Sequence, residues 1–119
     1  MPGRLLVVGG DAAGMSAAMQ VRRRQPDREI VVLERGRWTS YAACGIPYLV
    51  GGLVDDVDHL VARSPATFRD EHGIDVRLGH EVRGIDLDAR EVEAWDHDGG
   101  RTVRVGFDTL HVATGARPL

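Results

Sequence analysis

Two features near the start of the chain have residue types and a spacing that could bind a ligand. They are a glycine turn and a carboxylate twenty residues after it. The turn is Gly9-Gly10-Asp11-Ala12-Ala13-Gly14, and the acid is Glu34. Backbone N–H groups at a glycine turn that opens a helix can hold a pyrophosphate. A carboxylate about twenty residues further on can accept hydrogen bonds from ribose hydroxyls. The pair predicts a dinucleotide site; the alternative is a turn of the same shape that binds no nucleotide.

The one cysteine, Cys44, is the second chemical feature, ten residues after Glu34. Its neighbours Ala42, Ala43 and Gly45 are small, which would leave the sulfur approachable. We expect a short helix to begin near Cys44, where the helix dipole favours thiolate over thiol. A lone cysteine can also be an inert buried hydrophobe, but the position after the acid favours a nucleophile.

The elements that position these residues are those of a βαβ unit. Leu5–Val8 is a continuous apolar run, typical of a parallel strand buried on both faces. Ala12–Arg24 is the expected helix, ended before Pro26, which disfavours helical geometry in the residue before it. A second β-branched run, Ile30–Leu33, leads into Glu34. The glycine turn and the acid therefore both follow strands.

The first helix carries a polar stripe on an otherwise apolar surface. One arc of the helical wheel holds four polar side chains, Ser16, Gln20, Arg23 and Arg24. Most other positions up to Val21 are Ala, Met or Val. We expect this helix to be buried on most sides, with the stripe either functional or simply solvated.

The spacing of apolar residues changes in the second half of the chain. Ser64-Pro65 predicts a helix that runs through Glu71 and ends at Gly73. Alternation of period two then predicts a short strand, a three-stranded antiparallel meander and a return strand. Their expected bounds are Asp75–Leu78, then Glu81–Leu87, Glu91–Asp96 and Thr102–Gly106, then Phe107–Ala113. The order predicts an α/β fold: an FAD/NAD(P)-binding Rossmann-like parallel sheet with helices and an inserted antiparallel β-meander.

Composition excludes several other classes. The formal net charge of −3 gives no sign of a nucleic-acid or membrane partner, and one cysteine cannot form an intrachain disulfide. We therefore expect a reducing cytoplasm as the location. The five histidines show no close ligand spacing, which predicts no metal site.

Three stretches together identify a family resemblance. They are the glycine turn continued by Met15-Ser16-Ala17-Ala18, the run Thr39-Ser40-Tyr41-Ala42-Ala43-Cys44-Gly45-Ile46-Pro47-Tyr48, and Ala113-Thr114-Gly115. They resemble the FAD-dependent pyridine nucleotide-disulfide oxidoreductases. The nearest branch is the single-cysteine one of coenzyme A-disulfide reductases, persulfide reductases, and NADH oxidases and peroxidases.

The resemblance covers the whole of this chain. It covers only about the first quarter of a full-length family member. It implies that residues 1–119 are the N-terminal part of an FAD-binding domain, without the nicotinamide-binding and dimerisation domains. We expect this piece alone to be inactive and the full-length protein to be a homodimer that uses NAD(P)H.

The same resemblance implies a role for each cofactor-site residue. The FAD pyrophosphate would be cradled by Gly9, Gly10, Asp11, Ala12, Ala13 and Gly14. Glu34 would bind the adenosine ribose, Arg35 would lie beside the adenine, and Val82 would meet the adenine through its backbone. Ala113, Thr114 and Gly115 would close over the cofactor.

It also implies the redox and substrate residues. Cys44 would cycle between a thiolate and a mixed disulfide with coenzyme A. The substrate would be held by Ser16, Gln20, Arg23 and Ser40. Arg23, together with Arg22 or Arg24, could pair with coenzyme A phosphates.

Two positions depart from relatives in the branch and bear on specificity. Ala43 stands where many coenzyme A-disulfide reductases carry Asn as a substrate contact. Ala12 stands where peroxidases and water-forming oxidases carry a His that supports a cysteine sulfenic acid. A disulfide or persulfide reductase is therefore favoured over an NADH oxidase or peroxidase. The remaining alternative for the piece alone is a non-catalytic nucleotide-binding module.

Overall fold

The computed structural model describes residues 3–40, 46–53, 55–56 and 63–116. The strands are β1 (Leu5–Val8), β2 (Ile30–Leu33), β3 (Asp75–Arg77), β4 (His80–Asp86), β5 (Glu91–Asp96), β6 (Arg101–Gly106) and β7 (Thr109–Val112). The helices are α1 (Ala12–Arg24), α2 (Ile46–Val50) and α3 (Pro65–His72). Among these described helices, none has the length and apolar character needed to cross a bilayer.

A parallel sheet forms the middle of the molecule, with strand order β3-β2-β1-β7. Leu5 pairs with Ile30 on one side and with Thr109 on the other. Every residue of β1 and β2 is buried, which explains their unbroken aliphatic sequence. The glycine turn and Glu34 therefore leave the sheet at the same, carboxyl edge.

Alternate side chains of the sheet point to two different layers. On one face, Leu5 and Val7 pack with Met15 of α1 and Phe68 of α3. On the other face, Leu6, Val31 and Leu33 pack against the antiparallel sheet β4-β5-β6 through Val92, Ala94 and Val105. The predicted fold class, a parallel sheet with helices and an antiparallel meander, is confirmed.

Helix α1 has the expected bounds but not the expected burial. Only Gly14, Met15 and Ala18 are buried, whereas Ala12 and Ala13 are exposed. The expectation of burial on most sides is wrong, because α1 lies against one face of the sheet. Its polar stripe is one part of a wider accessible surface.

Hydrogen bonds at the element ends explain the remaining bounds. Ser64 Oγ accepts a 3.2 Å bond from Thr67 N, and Gly73, with φ of 62°, ends α3 in the left-handed conformation, as expected. Asp86 Oδ1 accepts from the amides of Asp88 and Ala89, so β4 ends one residue before the expected Leu87. Strand β4 begins at His80 and β6 begins at Arg101, each one residue earlier than expected.

Two further elements are shorter than expected, and the start of a third is not described. Strand β3 stops at Arg77, and β7 covers only Thr109–Val112 of the expected Phe107–Ala113. Phe107 N and Asp108 N instead donate to Arg90 O and Arg4 O, so these residues connect the two sheets. Helix α2 is described from Ile46, and the expected start near Cys44 lies outside the described residues.

We expect Phe68→Ala to lower the free energy of unfolding by about 3–5 kcal/mol, because it opens a cavity where α3 meets the sheet. Phe68 is 1% exposed, whereas Leu87, in the β4–β5 turn, is 72% exposed. Leu87→Ala is the control and should change stability by about 0.5 kcal/mol or less. Urea unfolding curves measure both; similar losses in the two variants would contradict the assigned core.

Candidate functional site

Close packing around the glycine turn leaves no room for side chains. Gly9 has φ of 110°, and its N–H donates to Leu33 O at 2.9 Å. A Cβ at Gly9 would overlap the carbonyl oxygen of Ala113, and a Cβ at Gly14 would overlap that of Gly9. Glycine at both positions therefore lets β1, α1 and the segment after β7 meet.

The start of α1 presents backbone donors at this turn. The first helical hydrogen bond runs from Met15 N to Asp11 O at 2.9 Å, so the amides of Ala12, Ala13 and Gly14 precede the helical ladder. The Asp11 side chain does not cap the helix. Such a helix start can hold a phosphate group.

The Glu34 carboxylate ties this turn to the loop after β2. One oxygen accepts a 2.9 Å bond from Gly10 N, and the other accepts from Gly36 N. An ionised carboxylate offers about four lone-pair positions, so two bonds leave room for hydroxyl donors. Glu34 can therefore hold the loop in place and still bind a ribose.

A cavity of about 350 Å³ opens at the carboxyl ends of the parallel strands. It brings together six of the residues predicted for the cofactor, namely Gly9, Glu34, Arg35, Val82, Thr114 and Gly115. Gly10 to Gly14 and Ala113 do not line it. The cofactor roles of all these residues stay predictions.

Two lining residues of this cavity, His80 and Glu81, escaped the sequence reasoning. They begin β4, next to Val82, and His80 N donates to Glu34 O at 3.0 Å. That bond joins the end of β2 to the meander. The only signal available in the sequence was adjacency to Val82.

Glu81 is held ionised by its surroundings. Its carboxylate lies 2.9 Å from His97 Nε2, and this hydrogen bond is the main reason that the pKa of Glu81 is lowered. Arg83 and Arg35 add smaller favourable charge interactions. The rim of the cavity therefore keeps a negative charge into mildly acidic solution.

A second cavity, of about 400 Å³, lies along α1. It is lined by all four residues predicted to bind substrate, Ser16, Gln20, Arg23 and Ser40. Met15, Met19, Phe68 and Arg63 complete the described lining. Arg63 was not predicted, because nothing in its immediate sequence distinguishes it from a solvated residue before a helix cap.

Of the three consecutive arginines at the end of α1, only Arg23 lines this cavity. Arg22 instead donates to His72 O at 2.8 Å, to Pro26 O at 2.8 Å and to Gly73 O at 3.1 Å. Its guanidinium therefore fastens the end of α1 to the end of α3. That Arg22 or Arg24 assists Arg23 in binding phosphates stays a prediction, with the Arg22 side chain engaged by these carbonyl oxygens.

The loop that approaches the cysteine is anchored on Gly10. The buried Thr39 donates through Oγ1 to Gly10 O at 2.6 Å, and Ser40 N donates to the same oxygen at 2.8 Å. Ser40 has φ of 53°, a left-handed conformation that side chains rarely adopt. Residues 41–45 lie outside the described residues, so the role of Cys44 stays a prediction.

Metal binding has no support in the part of the chain that the structure describes, where no three His, Cys, Asp or Glu side chains cluster as a metal site. Asp96 uses Oδ1 to accept from the amides of Asp98 and Gly99. The acidic stretch after β5 is therefore a hairpin turn.

Comparison with known proteins places the chain in a family. Residues 3–119 match the model for pyridine nucleotide-disulphide oxidoreductases, and the chain belongs to that family, which implies FAD and NAD(P)H. A coenzyme A disulfide reductase of Staphylococcus epidermidis is 34% identical over 113 residues, 95% of this chain and 26% of the relative. An NADH oxidase of Methanocaldococcus jannaschii is 30% identical over 116 residues, 98% of this chain and 26% of the relative.

A solved structure shows the same fold. The NAD-dependent persulfide reductase from A. fulgidus superposes with a TM-score of 0.90 at 39% identity, covering 98% of this chain and 22% of that protein. The chain thus spans about a quarter of the length of these relatives.

We expect Thr39→Val to lower the free energy of unfolding by about 1–3 kcal/mol, because it removes a buried hydrogen bond to Gly10 O without changing the side-chain volume greatly. Thr102→Val, at an exposed position on β6, is the matched control and should be nearly neutral. Thr39→Ser should retain most of the stability. Denaturant unfolding compares the three; a neutral Thr39→Val would show that the anchor contributes nothing.

We also expect a pH dependence at Glu81. Because its folded-state pKa is lowered, the interaction with His97 stabilises the protein above the ordinary carboxyl pKa and is lost as the pH falls. Glu81→Gln should therefore destabilise at pH 6, and the difference from wild type should shrink below about pH 4.5. Glu91→Gln on the neighbouring strand is the control. A difference independent of pH would contradict the role of charge.

Proposed function

We propose that this chain is the N-terminal part of the FAD-binding domain of a longer NAD(P)H-dependent oxidoreductase. In that protein Cys44 would reduce a disulfide or persulfide, with coenzyme A as the favoured carrier. The whole protein would pair as a homodimer. The observation that carries the proposal is the double role of Gly10, whose N–H binds Glu34 and whose carbonyl oxygen binds Thr39 and Ser40.

The residues around the turn fit FAD. The crowded positions Gly9 and Gly14 and the amides that open α1 suit a pyrophosphate, as described above. Glu34 and the 350 Å³ cavity suit an adenosine with its ribose. When bound, FAD supplies two electrons taken from NAD(P)H to the sulfur chemistry at Cys44.

The anchored loop supports the assignment of Cys44 as nucleophile. Ser40 bonds to the glycine turn and also lines the 400 Å³ cavity. Cys44 follows Ser40 by four positions in the sequence, and four residue steps span at most about 14 Å. This chain length is short enough to let a Cys44 thiol serve both the glycine turn and the 400 Å³ cavity, as the proposal requires.

The chemistry proposed for Cys44 is thiol–disulfide exchange. Its thiolate attacks one sulfur of the substrate disulfide, a new S–S bond forms, the old S–S bond breaks, and one thiolate leaves. Two electrons and a proton then release the second thiol and regenerate the Cys44 thiolate. Residues Ser16, Gln20, Arg23 and Ser40 would hold the substrate during both steps.

NADH oxidase chemistry is the second candidate, since an oxidase is among the relatives. Against it, Ala12 is an exposed methyl side chain at the first position of α1 and can neither donate nor accept a hydrogen bond to a sulfenic acid. The two activities differ in whether NADH consumption requires oxygen or a disulfide.

We expect Cys44→Ser in the full-length protein to lower NAD(P)H-dependent reduction of oxidised coenzyme A by roughly 10³-fold or more, because the nucleophile is lost. Its flavin absorbance should be retained. Mass spectrometry of the wild type after exposure to oxidised coenzyme A should find one coenzyme A adduct, on Cys44. Oxygen-dependent NADH consumption without disulfide, and no adduct, would favour the oxidase.

A further inference from the structure

His80 lines the 350 Å³ cavity at the carboxyl ends of the parallel strands, and the proposed function gives its imidazole no role. His80 opens β4, and its backbone N–H donates to Glu34 O at 3.0 Å. The start of β4 is thereby attached to the end of β2, next to the acid proposed for the ribose. The His80 side chain therefore starts from a fixed point of the cavity proposed for the adenosine half of FAD.

A hydrogen bond to the backbone fixes which nitrogen of the His80 imidazole carries the proton. Nδ1 lies 2.9 Å from Leu78 O. A carbonyl oxygen can only accept, so Nδ1 is the donor, and in the neutral ring Nε2 is an acceptor without a proton. Within the described part of the chain, no group forms a hydrogen bond with Nε2. A hydrogen-bond acceptor is therefore left for whatever fills the cavity.

The groups around His80 do not supply the donor that Nε2 lacks. The charged and titratable side chains on the neighbouring elements are Glu81 on β4, Asp96 on β5, His97 and Asp98 after it, and Glu34, Arg35 and Arg37 after β2. Asp96 is the cross-strand partner of His80 and interacts with it electrostatically, but a carboxylate cannot donate. Arg37 donates to Asp98, and His97 is engaged by Glu81. The donor to Nε2 would therefore come from the ligand.

The adenine amino group is the part of FAD that such an acceptor can distinguish. An exocyclic amine donates and does not accept, whereas a ribose hydroxyl rotates to do either. The ribose is, moreover, already assigned to Glu34. A purine that carries a carbonyl oxygen in place of the amine, such as hypoxanthine, would set one acceptor against another and leave both without a donor.

We propose that His80 is a specificity-determining residue that accepts a hydrogen bond from the adenine amino group of FAD through Nε2. This inference rests on the proposed function, because it requires FAD in this cavity. Neutral His80 selects the adenine-containing flavin dinucleotide over its hypoxanthine counterpart. Protonation of Nε2 turns the acceptor into a donor, so the preference falls over the range in which imidazoles titrate, about pH 6 to 7.

The test is the binding of two flavin dinucleotides that differ at one substituent of the base. FAD and its hypoxanthine analogue are titrated into the flavin-free full-length protein, and the change in flavin fluorescence gives each dissociation constant. At about pH 8, where imidazole is neutral, His80→Leu should weaken FAD binding about three- to tenfold, the effect of one hydrogen bond, and leave binding of the analogue unchanged. The wild-type preference for FAD should fall by a similar factor at about pH 5.5.

Two further variants separate recognition from a structural role. His80→Gln keeps an acceptor oxygen and should retain part of the preference. His72→Gln, on α3 at the other face of the sheet, is the matched control and should change neither affinity. Losing the bond to Leu78 O acts on the fold and would weaken both dinucleotides equally.

Three results would overturn the role of His80. They are an equal loss for both dinucleotides in His80→Leu, no loss for either, and a pH-dependent preference that survives this substitution. Should His80→Leu fail to fold, the wild type decides alone, because a preference for FAD that is the same at both pH values contradicts the proposal.

Cofactor binding distinguishes this inference from the function on which it rests. If the full-length protein binds neither dinucleotide, the assignment of FAD and the role of His80 both fail. If it binds both equally well at about pH 8, His80 has no such role and the FAD proposal stands. If the preference depends on His80 but the protein reduces no disulfide or persulfide, the recognition stands and the proposed reductase activity fails.

Discussion

The peptide units on either side of Gly10 are the constraint on which the candidate site depends. The N–H of Gly10 donates to the carboxylate that ends β2, and its carbonyl oxygen accepts from Thr39 and Ser40. Thr39 is buried, and a buried hydroxyl must be hydrogen-bonded. One glycine thereby sets the position of both the Glu34 carboxylate and the loop at Thr39 and Ser40.

The parallel sheet lies between the elements that build the two cavities. The meander contributes His80, Glu81 and Val82 to the 350 Å³ cavity at the carboxyl edge. Helices α1 and α3, on the other face, build the cavity along α1. The buried aliphatic strands β1 and β2 lie between the two layers and fix the two cavities relative to each other.

Arginine takes the place of lysine throughout this chain, which has 15 arginines and no lysine. The roles are distinguishable only by partner: Arg22 binds backbone carbonyls, Arg4 and Arg69 bind carboxylates, and Arg23 and Arg63 line a cavity without either. A planar fork of donors suits all three uses. The arginine content alone therefore does not indicate what each arginine does, whereas the contacts of each side chain do.

The sequence by itself determined what local signals encode. The bounds of α1, the Ser64 cap, the Gly73 end of α3 and the alternation of the meander were predicted because each depends on residues within a few positions. Tertiary packing decided which side of α1 is buried, that Arg22 fastens helices, and that Arg63 and Glu81 reach cavities. These facts depend on contacts between residues tens of positions apart, as between Arg22 and His72, and no local pattern carries that information.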